Sequence, residues 1–281
     1  MVFPFYAIIL YPSNLKNGKF TATLLRAIAK QTQSLDALES RVNVGDVEAV
    51  HDLRVALRRL RSALRLLDDP DADNLRKRAK AVADTVGAVR DLDVLLEMPK
   101  IPNAWKFALR LERERALSIA RSQLADKGHL RWKGRLAEWL AQDFEAESEG
   151  NVFEDALQIH VDEVIALRSA ASDEEFHQLR INVKRLRYLL EFFQKGMLTK
   201  AKKCIKGLTE IQDELGRYHD AVVARQRLNL AIEAATGLSL KSKLIAFQKT
   251  LAEDKQSQLP SESATRATGL AQESLAVQLD D

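Results

Sequence analysis

Apolar residues recur at three- and four-residue intervals along most of this chain, the spacing of amphipathic helices. No window alternates with period two for long enough to specify a sheet, although Phe5 to Tyr11 suits a short extended piece. Proline marks the breaks: Pro70, Pro99, Pro102 and Pro260 each fall where a periodic run stops or restarts. The pattern predicts eight helices, over about 19–41, 46–68, 72–97, 103–126, 132–169, 173–195, 198–235 and 239–257, with a break in the fifth near Gly150-Asn151. The clearest core stripe is Leu53, Leu57, Leu60, Leu64 and Leu67. Leu179, Val183, Leu186, Leu190 and Phe193 form a second stripe of the same spacing. Both ends of the chain lack this signal. Residues 1–18 are expected to stand outside the main fold. Residues 258–281, polar and without an aromatic residue, are expected to form a mobile C-terminal tail.

Composition narrows the class. Of 281 residues, 46% are hydrophobic, too many for a disordered chain, and one cysteine cannot make an internal disulfide. The longest uncharged apolar run, Val2 to Tyr11, is too short to span a bilayer and is interrupted by Pro4. It also lacks the positive start of a signal peptide. The expectation is an all-α, cytoplasmic protein with no membrane partner.

Charge changes the picture more than composition does. Lys and Arg number 43 against 40 Asp and Glu, a net of +3. The sum conceals a segregation. Glu138 to Glu175 holds twelve acids and one base, whereas Phe176 to Lys206 holds nine bases and one acid, Glu191. A partner meets the local field, so the blocks matter more than the total.

The basic residues also repeat. His51-Asp-Leu-Arg54-Val-Ala-Leu-Arg58-Arg59-Leu-Arg61 matches His177-Gln-Leu-Arg180-Ile-Asn-Val-Lys184-Arg185-Leu-Arg187 at an offset of 126. In the following helix Lys77, Asp84, Gly87 and Asp91 match Lys206, Asp213, Gly216 and Asp220 at an offset of 129. Two copies of a four-helix unit, about 19–128 and about 129–257, account for this length. On a helical wheel His51, Arg54, Arg58, Arg61 and Arg65 form one stripe beside the leucines, and His177, Arg180, Lys184 and Arg187 form its counterpart. Arg59 and Arg185 point elsewhere and are expected to be solvated.

Such a stripe disfavours its own helix, because like charges at i,i+3 and i,i+4 cost about 0.2–0.5 kcal/mol per pair. One basic helix alone is most simply a solvated face. Two copies with one spacing, each headed by histidine, point instead to an anion site. Lys77, Lys202 and Lys206 extend the basic surface. Asp84, Asp91, Asp213 and Asp220 are expected to accept hydrogen bonds from arginines and fix them. Gly87 and Gly216 sit mid-helix at a cost of about 1 kcal/mol against Ala, which a close helix–helix approach would explain.

The doubled His-x-Leu-Arg-x-x-x-(Arg/Lys)-Arg-Leu-Arg segment resembles the signature of the CHAD domain, the conserved histidine α-helical domain. Gly87 to Asp91, with Arg90, is similar to its second signature; the second copy departs from it by placing His219 where Arg90 stands. The resemblance covers about residues 19–257. It implies two four-helix bundles related by a pseudo-twofold axis, with the basic stripes lining a central groove. It implies non-catalytic binding of inorganic polyphosphate, and in many members a place at polyphosphate granules. By match, the binding set is His51, Arg54, Arg58, Arg61, His177, Arg180, Lys184 and Arg187, with Arg65, Lys77, Lys202 and Lys206 as extensions. Asp84, Asp91, Asp213, Asp220, Arg90 and His219 stand behind them. Lys184 gives a point charge where an arginine would give a fork.

Three rivals weigh less. A metal site on His51 and His177 is opposed by the bases three and seven residues after each histidine, so no metal or other cofactor is expected. A phosphoanhydride-processing enzyme would need a nucleophile, a P-loop or a Glu-x-Glu-x-Lys run, and Glu145-Ala-Glu147-Ser-Glu149 ends in Glu. Nucleic-acid binding suits basic helices, but aromatic residues are few and not interleaved with the stripe bases. His129, His160, Trp105, Trp132, Trp139 and Cys204 read as packing or surface residues.

Overall fold

The computed structural model describes residues 19–144, 152–194, 199–254 and 260–275. Among them the chain is all-α, with ten helices: α1 Lys19–Asn43, α2 Val47–Arg65, α3 Pro70–Leu96, α4 Asn103–Ala125, α5 Lys127–Leu140, α6 Val152–Ile165, α7 Asp173–Phe193, α8 Thr199–Ala234, α9 Leu238–Glu253 and α10 Ser261–Ser274. Residues 1–18, with the extended piece expected in them, lie outside the described residues, and so does the Glu145 to Glu149 run.

The fifth predicted helix is two helices. The first begins earlier than the periodicity suggests, because Asp126 caps it by accepting a hydrogen bond from Gly128 N at 2.6 Å.

The C-terminal expectation is corrected. Residues 261–274 form α10 and pack against α8. Ala264, Ala267 and Ala271 are buried, and Gly207 of α8 leaves room for Leu270: a Cβ there would stand 2.6 Å from Leu270 Cδ1. Glu214 of α8 accepts from Arg266 and from Ser263, each at 2.7 Å. A helix that buries alanines carries little hydropathy, so its sequence reads as a polar tail.

The chain forms two compact units. One comprises Met1–Arg90 and Ala116–Val152; the other comprises Asp91–Arg115 and Phe153–Asp281. Helices α3 and α4 each run through a unit boundary, so the units do not follow one another along the chain as the two sequence repeats do.

In the first unit, α1 and α2 form a helical hairpin. Gly45 takes φ +86°, a left-handed conformation that favours glycine, and Asp46 then caps α2 by accepting from Glu48 N and Ala49 N at 3.0 and 3.1 Å. Leu53, Leu57, Leu60 and Leu64 are buried as the stripe predicts, while Leu67 lies beyond the end of α2 and is half-buried. In the second unit α7 packs on α8, and Leu179, Val183, Leu186, Leu190 and Phe193 are all buried, Phe193 against Phe153 of α6. A capping box between Ser172 and Glu175 starts α7. His51 and His177 are thus each the fifth residue of a firmly capped helix.

Candidate functional site

In the first unit the basic stripe rides on α2, beside the face that buries the leucines. Its best-defined contact is with the neighbouring helix. Arg54 Nη1 donates to the Gly87 carbonyl oxygen of α3 at 2.9 Å. A Cβ on Gly87 would lie 3.3 Å from Arg54 Nη1 and 3.5 Å from its Cζ. The mid-helix glycine therefore makes room for an arginine. The close approach expected at Gly87 is made by a guanidinium of the neighbouring helix.

Arg61, two turns further along, is half-buried, and its Nε is buried without a hydrogen-bond partner. Burial pushes its pKa down; Asp84 offsets part of this, and Arg76 adds to it. An arginine keeps its proton under these conditions, so the physical content is an incompletely compensated charge. Arg76, which the repeat did not single out, belongs to this field. It is held by Asp73, which also pairs with Lys77 at 2.7 Å. Asp84 is ion-paired to Lys80 at 2.6 Å and holds no arginine by hydrogen bond among the described residues. Arg65 is exposed at the end of α2, and His51, Arg58 and Arg90 are half-buried.

In the second unit Arg180 repeats the relationship at longer range: a Cβ on Gly216 would meet Arg180 Nε at 3.8 Å. Here two histidines meet as well. His177 Nδ1 and His219 Nδ1 are 3.3 Å apart, and the ring centroids are 4.7 Å apart. One ring donates and the other accepts, so the contact needs at least one neutral imidazole. Burial, then Arg180, pushes the His177 pKa down, with Glu174 opposing and Lys184 adding. Burial, Arg180 and His177 push His219 down to about 4, against an opposing Asp91. Next to this pair the Tyr218 hydroxyl is hydrogen-bonded to the carboxylate of Asp173, and burial followed by that contact raises its pKa to about 12. The sequence set His219 behind the basic residues; the structure puts it against His177.

Arg187 departs from expectation. It is buried, its Nε donates to Gln212 Oε1 at 3.0 Å, its Nη1 pairs with Glu191, and its guanidinium lies 4.5 Å from the Tyr188 ring centroid. Glu191, the one acid of the basic block, neutralises it one turn away. Arg185, expected in solvent, donates from α7 to Glu163 of α6 at 3.2 and 3.3 Å. Lys202 and Lys206 are exposed, and so is Asp213, which holds no arginine among the described residues. Asp91 is exposed and Asp220 half-buried.

Cys204 is buried, as are Trp105, Trp132 and Trp139. His129 and His160 are buried against Glu39 and Glu163. Among the described residues, no group of three or more His, Cys, Asp and Glu side chains is placed to hold a metal ion, and no helix is long and apolar enough to cross a membrane.

The family model for the CHAD domain matches residues 26–229. The chain belongs to the CHAD domain family. Its fold is shared with a crystal structure of the CHAD domain from the plant Ricinus communis, at a TM-score of 0.71 and 24% identity over 90% of this chain and 92% of that one. It is also shared with PptA from Streptomyces chartreusis, at a TM-score of 0.66 and 19% identity over 90% of this chain and 98% of that one. No curated protein matches the sequence. The two signature histidines of this CHAD domain thus head capped helices in different units, each with a row of bases behind it.

Proposed function

We propose that this CHAD domain binds inorganic polyphosphate without catalysis, through the basic stripes of α2 and α7, and that it acts in the cytoplasm at polyphosphate granules. The observation that carries the reading is the seating of Arg54 on Gly87. A helix accepts a destabilising glycine so that a guanidinium can be held in one place, while Arg61 beside it carries a charge the protein does not fully neutralise. Polyphosphate presents a dense row of anionic oxygens and little else. Arginine forks can engage adjacent oxygens, and Lys184 adds charge without strict geometry. Arg180 and the His177–His219 pair form the corresponding set in the second unit. Arg187, tied to Glu191, stands outside it.

The test is a calorimetric titration of polyphosphate into the wild type, Arg54→Glu and Arg180→Glu, with helical content checked by circular dichroism. Each charge reversal is expected to weaken binding at least ten-fold. Unchanged affinity in both would remove the assignment. The non-catalytic part is tested separately, by incubating the protein with polyphosphate and Mg²⁺; steady phosphate release would overturn it.

A further inference from the structure

Within the second unit, α4 is apolar on two sides. One side is anchored. Trp105 and Leu109 are buried, the Trp105 ring meets Phe247 of α9 edge-on with centroids 5.9 Å apart, and Arg113 pairs with the buried Asp93 of α3. Phe107 and Leu111 follow Trp105 and Leu109 by two residues, about 200° round the helix. They point away from that packing and are 62% and 47% exposed, with Ala104 and Ala108 exposed beside them. Single apolar residues on a surface are ordinary. A phenylalanine and a leucine one turn apart on one face form a stripe, and a helix that is apolar on both sides suits cover on both sides.

The charges beside the stripe select the cover. Arg110 and Glu114 stand one turn apart along one flank. Among the described residues Arg110 has no ion pair, and Glu114 reaches only its neighbour Arg113, at 3.3 Å. On the other flank Glu112 is taken up by Arg227 of α8 at 3.0 Å. A partner of one charge sign would match either Arg110 or Glu114 and be repelled by the other. A flank with one base and one acid is complementary to itself when run antiparallel. A twofold axis at the level of residue 112 sets Arg110 of each copy against Glu114 of the other, because the two positions are equidistant from it. The same axis brings the two Leu111 residues to within about 3 Å of one another along the helix direction. It places Arg115 at about the same offset from Phe107 of the second copy, whose ring face attracts a guanidinium.

We infer that this face of α4 docks on the same face of a second copy of the chain, giving an antiparallel, twofold-symmetric dimer. One helix pair buries less than the roughly 1,200–2,000 Å² of a standard interface, so the dimer is weak, with a Kd on the order of 10 µM. None of these residues belongs to the basic stripes, and the dimer does not rest on the polyphosphate reading.

The test is sedimentation of the full chain without polyphosphate, at concentrations up to ~200 µM, well above that Kd. A reversible monomer–dimer equilibrium is expected. Phe107→Glu is expected to weaken it at least ten-fold without lowering the melting temperature, since the side chain is exposed. Phe107→Gln is the milder variant should the charge disturb folding. Arg110→Glu and Glu114→Arg are each expected to weaken the dimer several-fold, and the double variant, which exchanges the two charges, to restore it. The inference is overturned if the chain is monomeric throughout, if both Phe107 variants leave the dimer intact, or if the double variant fails to recover association. A monomeric chain that Phe107→Gln destabilises also overturns it, because the face is then covered within the chain.

Discussion

Arg54 lies across the backbone of α3 at Gly87, with Nη1 2.9 Å from the glycine carbonyl oxygen. That carbonyl is in the middle of a helix and already accepts from its own ladder, so the guanidinium uses the second lone pair. A hydrogen bond of this kind fixes where the positive charge sits while leaving its net charge intact.

The two glycines separate cleanly in their expected behaviour. Gly87→Ala removes a helix-interior glycine, a gain of about 1 kcal/mol, but its methyl group would press on Arg54 at 3.3 Å. Melting temperature is expected to hold or rise slightly while polyphosphate affinity falls several-fold. Gly216→Ala meets Arg180 only at 3.8 Å, an ordinary contact. It is expected to stabilise the protein by about 1 kcal/mol and leave affinity within two-fold. Thermal melts and titrations of both variants check this contrast.

Arg61 bears a half-buried charge with an unpartnered Nε. Replacing such a group by an apolar side chain of similar volume often stabilises. Arg61→Met is expected to raise the stability of the polymer-free protein by about 1 kcal/mol and to lower polyphosphate affinity about ten-fold, since ion-assisted contacts contribute about 1.5–3 kcal/mol. A destabilised variant with full affinity would contradict the assignment.

Arg187 is expected to behave oppositely. Removing it takes the arginine away from a largely buried Glu191 carboxylate and from Gln212. Arg187→Gln is expected to cost about 2–3 kcal/mol by chemical denaturation and to change polyphosphate affinity by less than two-fold.

The histidine pair sets a pH dependence. Unfolded histidine titrates near 6.5, and His219 in the fold near 4. A depressed histidine favours the neutral folded form. Its contribution is therefore full above pH 6.5 and is lost as pH falls through about 4. His177 shifts in the same direction. A bound polyanion would raise both pKa values against the opposing Arg180 and Lys184. Binding is then expected to take up protons between about pH 4 and 6.5, measured by calorimetry in buffers of differing ionisation enthalpy. His219→Asn is expected to reduce the uptake. Proton-neutral binding across that range would show that polymer and histidines do not interact.

Affinity for polyphosphate is expected to fall steeply with salt, because each neutralised phosphate releases a counterion. A log–log plot from low to moderate salt gives the number of charges engaged, and Arg54→Gln should make it shallower by about one unit.

The stripes, the core faces and most helix limits were legible because they depend on spacing along one helix. Leu53 to Leu64 and Leu179 to Phe193 bury as their periodicity requires, and the bases ride beside them. Helix α10 was not legible, since alanines that pack on a neighbouring helix look like alanines in solvent. The pairing of Lys77 with Asp73 lies within one helix and is legible from i,i+4 spacing alone.

The sequence by itself determined that this is an all-helical CHAD domain with two matched rows of bases, because periodicity and repetition are properties of the chain alone. Tertiary structure decided what each base meets. Arg54 meets a carbonyl that fixes its guanidinium, Arg187 meets Gln212 and pairs with Glu191, and His219 meets His177 and is pushed toward its neutral form. Whether a charge is exposed, fixed or cancelled depends on what a neighbouring helix brings to within a few ångströms. Residues distant in sequence supply those groups, and spacing along one helix carries no record of them.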